Sequence, residues 1–122
     1  MNNPVGWFEI YVQDMPRARA FYEAVLARKL EQLESPGIEM WAFPMEPDQP
    51  GAAGSLVWME GVPSGGNSTL VYFISEDCAI EAARVPASGG KIFKEKFSIG
   101  QYGFIALAID TEGNMFGLHS MK

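Results

Sequence analysis

The stretch that decides the fold is "WFEIYVQDMPRARAFYEAVL", residues 7–26, which has the pattern of a strand followed by a helix. β-Branched and aromatic residues dominate residues 5–12, as is typical of a strand. Asp14 is a good N-cap for the helix, and Pro16 is compatible with a first helical turn, where its missing N–H is not needed. The spacing predicts a helix over about 14–27, because apolar side chains recur on one face: Ala18, Phe21, Tyr22, Val25 and Leu26.

Glu9 is the unexpected residue of this stretch, because it places a carboxylate inside an otherwise apolar strand. Either that face of the strand meets solvent, or the carboxylate points into a cavity with something to bind. Side chains alternate along a strand, so Glu9 shares a face with Trp7. A purely structural role is the alternative, in which Glu9 pairs with an arginine or accepts a hydrogen bond from a tyrosine.

The composition is that of a globular protein and excludes several classes of partner. The chain has 122 residues, which fits one domain, and its net charge of −6 argues against nucleic acid or an anionic membrane surface as the main partner. Cys78 is the only cysteine, so no internal disulfide is expected and a reducing compartment is favoured. With no signal-peptide pattern at the N-terminus, we expect a soluble, cytoplasmic protein.

The rest of the chain repeats the order of the opening stretch. The segment "GVPSGGNS", residues 61–68, is rich in breakers and is predicted to link two modules, about 1–60 and about 69–122, within one domain. A second helix is predicted at about 77–86, and Asp77 aligns with Asp14 at its start. Lysines in residues 91–97 suggest an edge strand. The predicted strands after the opening one are 29–34, 38–44, 55–60, 69–75, 91–97, 102–110 and 115–121.

Three stretches carry a resemblance to a known family: "FEIYVQDMPRARAFYEAVL", "LVYFISEDCAIEAARVPASGGKI" and "GFIALAIDTEGNMFGL". In this order they resemble the vicinal oxygen chelate superfamily, which includes glyoxalase I, bleomycin-resistance proteins and extradiol dioxygenases. The chain is most similar to the small members related to lactoylglutathione lyase. The resemblance implies an α+β fold in which two β-α-β-β-β modules form a curved, cup-shaped mixed β-sheet with helices outside. It also implies a homodimer.

The resemblance further implies where a divalent metal would be held, since each module's first and last strands supply a ligand in metal-using members. None of the four residues at those positions is a good ligand for such an ion, so we expect no cofactor and no metal. If an ion were held at all, Glu9 and His119 would be its protein ligands. The four implied positions are Trp7, Ser55, Leu70 and Gly117.

Strand alternation extends the candidate site beyond Glu9. Tyr72 shares a face with Leu70, and His119 shares a face with Gly117. Glu9, Tyr72 and His119 are therefore predicted to converge on a ligand-binding pocket in the sheet, with Trp7 as an apolar wall. The structural alternatives are a surface position for His119 and core packing for the tryptophan.

Three functions remain open on the sequence. The first is a binding protein that holds a small molecule in the sheet without a metal, as the bleomycin-resistance branch does. The second is a metal-dependent lyase or dioxygenase-type enzyme acting on a small oxygenated metabolite, with Glu9 as the candidate catalytic carboxylate. The third is an accessory or interaction domain. Fold alone does not choose among them.

Overall fold

The computed structural model describes residues 2–48, 51–66, 69–111 and 113–122, and it describes the backbone but not the side chain of Val25. The chain divides into two compact units. The first unit is Trp7–Thr69, and the second combines Met1–Gly6 with Leu70–Lys122. We call them the first and the second module.

The first module contains one helix and a four-stranded sheet. Its helix α1 is Met15–Leu26, and the sheet has the order β2-β3-β4-β1. Strand β1 pairs with β4 in parallel, whereas β2–β3 and β3–β4 are antiparallel. The strands are β1 (Val5–Tyr11), β2 (Glu31–Leu33), β3 (Glu39–Ala42) and β4 (Ala53–Trp58).

The second module repeats this topology. Its helix α2 is Cys78–Ala87, and the sheet has the order β5-β8-β7-β6, with β5 and β8 parallel. The lysine-rich strand β6 lies at the end of that order, as its sequence predicted. The strands are β5 (Thr69–Ile74), β6 (Lys91–Ser98), β7 (Phe104–Ile109) and β8 (Met115–Ser120). The predicted fold class, α+β with a duplicated β-α-β-β-β module, is therefore confirmed.

Several element boundaries differ from the sequence prediction by a few residues, and the start of β7 differs for a clear physical reason. Strand β7 begins at Phe104 rather than at residue 102, because Gly100–Tyr102 form a 3-10 turn and Gly103 has a φ of 102°. Glycine adopts that positive φ at little cost. In the first module the predicted strand 29–34 is reduced to Glu31–Leu33.

Each helix packs on one face of its own sheet, and aspartates begin both helices as predicted. Asp14 accepts a hydrogen bond from the backbone N–H of Arg17 (3.0 Å), and Asp77 accepts one from that of Ala79 (3.1 Å). Such caps satisfy backbone donors that a helix leaves unpaired. The buried core residues that each helix and its sheet share are Val12, Met15, Leu30 and Leu56 in the first module and Cys78, Ala82, Ala106 and Leu118 in the second.

Asp110 and Gly113 shape the turn before β8. The Asp110 carboxylate accepts a hydrogen bond from the backbone N–H of Asn114 (2.9 Å), and Gly113 has a φ of 86°. This turn sets β8 antiparallel to β7 and fixes the register that pairs Gly117 with Leu107.

No helix in the described ranges combines the length and the hydropathy needed to cross a bilayer.

Candidate functional site

The candidate site lies on the face of the first module's sheet opposite α1. Ile10 and Leu56 pack into the core beneath the helix, so the alternate residues of β1 and β4 point the other way. The register of the parallel pair sets these residues side by side. They are Trp7, Glu9 and Tyr11 on β1, opposite Ala53, Ser55 and Val57 on β4.

Glu9 is buried on this face, with 9% of its surface exposed, and its own strand supplies two hydrogen-bond donors. The Trp7 indole Nε1–H donates to Oε2 (3.1 Å), and the Tyr11 hydroxyl donates to Oε1 (2.6 Å). Burying a carboxylate is costly unless it is hydrogen-bonded, and these two donors offset part of that cost. We call the three side chains the Glu9 clamp.

Glu9 accepts a hydrogen bond from a tyrosine, as the structural alternative described, and the clamp changes the description of Trp7. Trp7 was predicted to be an apolar wall, but its indole nitrogen is a polar partner of the carboxylate. Tyr11 was not predicted at all. The signal for it was present, because Trp7, Glu9 and Tyr11 are spaced two apart and therefore share a strand face.

The electrostatics of the clamp keep the proton of the Tyr11–Glu9 hydrogen bond on the Tyr11 hydroxyl. Burial raises the pKa of the Tyr11 phenol well above its ordinary value, and the charge of Glu9 and their hydrogen bond raise it further. The phenol therefore stays protonated and remains the donor. Both oxygens of Glu9 act as acceptors, which is how an ionised carboxylate behaves.

The raised pKa of Tyr11 predicts an alkaline loss of stability. Above pH 10, the ordinary value of the phenol, the unfolded chain releases this proton while the folded protein keeps it, so the free energy of unfolding falls as the pH rises. The slope contributed by one such group is about 1.4 kcal/mol per pH unit. Tyr11→Phe should remove that slope in denaturant unfolding measured from pH 9 to about 11.5. An unchanged slope in the variant would contradict the raised pKa.

Ser55 is the register partner of Glu9 and an unusual residue of this face. It is fully buried in the middle of β4, between Glu9 on β1 and Ala42 on β3. Among the described residues its hydroxyl oxygen has no hydrogen-bond partner. Buried hydroxyl groups are nearly always hydrogen-bonded, so this one marks a position at which a further partner is needed.

In the second module, Tyr72 is buried and covers the position that the resemblance assigns to a metal ligand. Tyr72 pairs with Gly117 across β5 and β8. A Cβ atom on Gly117 would lie 3.0 Å from Cγ of Tyr72 and closer still to Cδ2 and Cε2 of the ring. The ring therefore occupies the space that a ligand side chain at residue 117 would need.

His119 is held by a backbone carbonyl. Its Nε2 lies 2.6 Å from the carbonyl oxygen of Tyr102. Because a carbonyl oxygen only accepts, Nε2 carries a proton and donates. The structure thus gives His119 a partner within its own module and leaves only Nδ1 for any other role.

The structure brings some of the predicted site residues together within each module. Trp7 and Glu9 are in direct contact in the first module. Tyr72 and His119 lie on the same face of the second module, since Ile74, two residues after Tyr72, pairs with His119. The convergence of Trp7, Glu9, Tyr72 and His119 on one pocket stays a prediction.

The residues at the implied metal positions do not fit a divalent ion. The single nitrogen of Trp7 donates to Glu9, and Gly117 has no side chain beneath the Tyr72 ring. Leu70 is apolar, and Ser55 offers one neutral hydroxyl. The described part of the chain contains no cluster of three or more His, Cys, Asp or Glu side chains that could hold an ion. Divalent ions in proteins are usually held by several such side chains, and these four positions supply none of them.

Comparison with known proteins identifies the family. Residues 5–118 match the sequence model of the Glyoxalase/Bleomycin resistance protein/Dioxygenase superfamily. The chain therefore belongs to this superfamily, in agreement with the resemblance of its three motifs.

Individual relatives have low sequence identity to this chain. The chain is 29% identical over 112 residues to proteins named "Putative glyoxylase CFP32" from Mycobacterium bovis and Mycobacterium tuberculosis. The match covers 92% of this chain but 42% of those proteins, so the chain spans about two fifths of their length.

Similar solved structures agree on the fold. Methylmalonyl-CoA epimerase from Mycobacterium tuberculosis has a TM-score of 0.71 at 16% identity, over 98% of this chain and 88% of the epimerase. A variant of the Streptomyces coelicolor methylmalonyl-CoA epimerase, in complex with 2-nitronate-propionyl-CoA, has a TM-score of 0.68 at 17% identity, over 96% of each chain. At these identities the likeness concerns the fold alone.

Proposed function

We propose that this protein binds a small molecule at the face of the first module opposite α1, with the Glu9 clamp as its polar centre and without the superfamily's metal. The observation that carries the proposal is the buried Glu9 carboxylate, which two side chains of its own strand hold in one orientation. A fixed charged group flanked by aromatic rings is the usual composition of a small-molecule site.

Energetics favour a binding role over a purely structural one. Burying a charge costs free energy that hydrogen bonds only partly return, and apolar side chains of similar size often stabilise a fold as well or better. A sheet face that served packing alone would therefore more often carry apolar side chains at all three clamp positions. Glu9 instead combines burial with ordered donors, as preorganised recognition requires.

The absence of good metal ligands supports a metal-free site. The implied ligand positions carry Trp7 and Ser55 in the first module, and Leu70 and Gly117 in the second.

We also propose that the protein forms a homodimer, as its family resemblance implies. Light scattering of the purified protein tests this part separately, and a monomer at micromolar concentration would contradict it.

A ligand screen on matched variants tests the proposed function. Compounds that raise the melting temperature of the wild type should lose at least about tenfold in affinity on Glu9→Gln, because the charge and one acceptor are lost. Glu39→Gln is the matched control, since Glu39 also accepts a hydrogen bond from a tryptophan indole, that of Trp41 (3.0 Å). Its ligand affinity should equal that of the wild type.

The same screen shows what would contradict the proposal. A chelator should leave ligand affinity unchanged. Ligands that bind the wild type and Glu9→Gln equally well would place the binding site elsewhere. Loss of binding on chelation would contradict the metal-free part alone.

The alternative function is enzymatic, with Glu9 moving a proton on a small oxygenated metabolite. The names of the similar proteins, a glyoxylase and an epimerase, are the observation that favours it. Elemental analysis of protein purified without added metal or chelator discriminates between the two. The binding function predicts well under one equivalent of divalent metal per chain, whereas a stoichiometric ion would favour the metal-dependent enzyme.

A further inference from the structure

The buried hydroxyl of Ser55 differs from most buried polar groups because it is not hydrogen-bonded within the described part of the protein. Its side chain is fully buried, and its hydroxyl has no hydrogen-bond partner among the described residues. An unsatisfied hydroxyl in the interior destabilises a protein, and an alanine in the same place would not. The hydroxyl is therefore available to make a hydrogen bond to an additional molecule.

We propose that Ser55 is a ligand-binding residue, and that it acts with Glu9 to bind a hydroxyl group of a neutral ligand. Ser55 donates its O–H to the ligand oxygen, and the ligand O–H donates to the Glu9 carboxylate. The two residues are paired in register on neighbouring strands, whose backbones lie about 4.8 Å apart. One oxygen atom can make hydrogen bonds to both side chains across that spacing. This inference rests on the proposed function and specifies its ligand class.

The neighbouring groups select a neutral hydroxyl over other ligand groups. A carboxylate or phosphate would be repelled by the charge of Glu9. An ether or carbonyl oxygen could accept from Ser55 but has no proton for Glu9. Water has the same hydrogen-bonding chemistry as a ligand hydroxyl but no apolar part. The rings of Trp7 and Tyr11 lie on the same face, so an aromatic hydroxyl is favoured over water.

Access to Ser55 passes the clamp residues. Trp7 and Tyr11 are partly exposed on the face that carries Ser55, whereas Ser55 is fully buried, so we expect a ligand that reaches Ser55 to enter beside these side chains. The indole N–H of Trp7 is therefore a direct reporter of binding. Its NMR signal is identified as the one missing in Trp7→Phe.

The experiment titrates phenol, anisole and benzoate into the full chain and follows the Trp7 indole N–H signal. Phenol should bind saturably, and anisole and benzoate at least about fivefold more weakly, because each lacks the neutral O–H. Ser55→Ala should weaken phenol binding by about fivefold, the value of one hydrogen bond. Its melting temperature should equal or exceed that of the wild type.

Ser120→Ala is the matched control, because Ser120 is a buried serine whose hydroxyl is fully engaged. It accepts from the N–H of Cys78 (3.0 Å) and donates to the carbonyl of Lys122 (2.9 Å). This variant should lower the melting temperature and leave phenol binding unchanged. The contrast separates an unused buried hydroxyl from a structural one.

Three results would overturn the inference: phenol binding no tighter than that of anisole, phenol binding unchanged by Ser55→Ala, or a melting temperature of Ser55→Ala lowered as far as that of Ser120→Ala. A different result distinguishes this inference from the proposed function. A ligand that needs Glu9 but binds Ser55→Ala normally would leave the proposed function intact and remove this inference alone.

Discussion

Glu9→Leu should lower the free energy of unfolding by about 3 kcal/mol, which corresponds to roughly 10 °C in melting temperature. Leucine fills much of the same volume but accepts no hydrogen bond. The Trp7 indole N–H and the Tyr11 hydroxyl would then lose their buried acceptor, at about 1–3 kcal/mol each. The gain from no longer burying a charge offsets part of this loss.

Glu39→Leu is the matched control for this prediction. Glu39 accepts a hydrogen bond from the indole of Trp41, but it is only partly buried. Water can therefore replace the lost acceptor, and the melting temperature should change by no more than about 3 °C. The melting temperatures are measured by calorimetry at pH 7. Equal decreases in the two variants would mean that the clamp stabilises the fold no more than the hydrogen bond of Glu39 does.

Gly117→Ala should be destabilising by about 2–3 kcal/mol, although alanine normally stabilises a strand relative to glycine. The new Cβ would overlap the ring of Tyr72 near its attachment to the main chain, where the ring has little freedom to move. Tyr72 is itself buried, with 6% of its surface exposed, so it cannot turn out without losing packing. The measurement is denaturant unfolding at pH 7.

A double-mutant cycle tests the cause of that loss. Tyr72→Ala alone costs stability because it opens a cavity, but it also removes the obstacle to a side chain at residue 117. The double variant Tyr72→Ala/Gly117→Ala should therefore be more stable than the sum of the single changes predicts, by about 1–2 kcal/mol. Strict additivity would show that the cost of Gly117→Ala does not arise from the ring.

Local sequence patterns predicted most of the fold. The Asp14 and Asp77 caps and the helical spacing after Asp14 depend on neighbours within a few residues, and each has the predicted geometry. Boundaries were less well predicted where a glycine changed the backbone. At Gly103 a positive φ delays the start of β7, and nothing in the apolar pattern of residues 102–110 marks that point.

The site was predicted only in part, because its chemistry depends on contacts that alternation alone does not specify. Alternation predicted that Trp7 and Glu9 share a face, but not that the indole donates to the carboxylate. The unused hydroxyl of Ser55 depends on the β1–β4 register and on full burial, neither of which is visible in residues 53–58. The carbonyl partner of His119 comes from Tyr102, seventeen residues away in the chain.

The Glu9 clamp is contained in a single strand segment, residues 7–11, and this locality has a consequence for engineering. Both donors sit two positions from the carboxylate, so strand alternation places all three side chains on one face. The pattern Trp-x-Glu-x-Tyr is therefore portable. Written into a central strand of an unrelated sheet, with small residues on the neighbouring strand, it should create an oriented carboxylate on the chosen face, a ready starting point for designing new receptors.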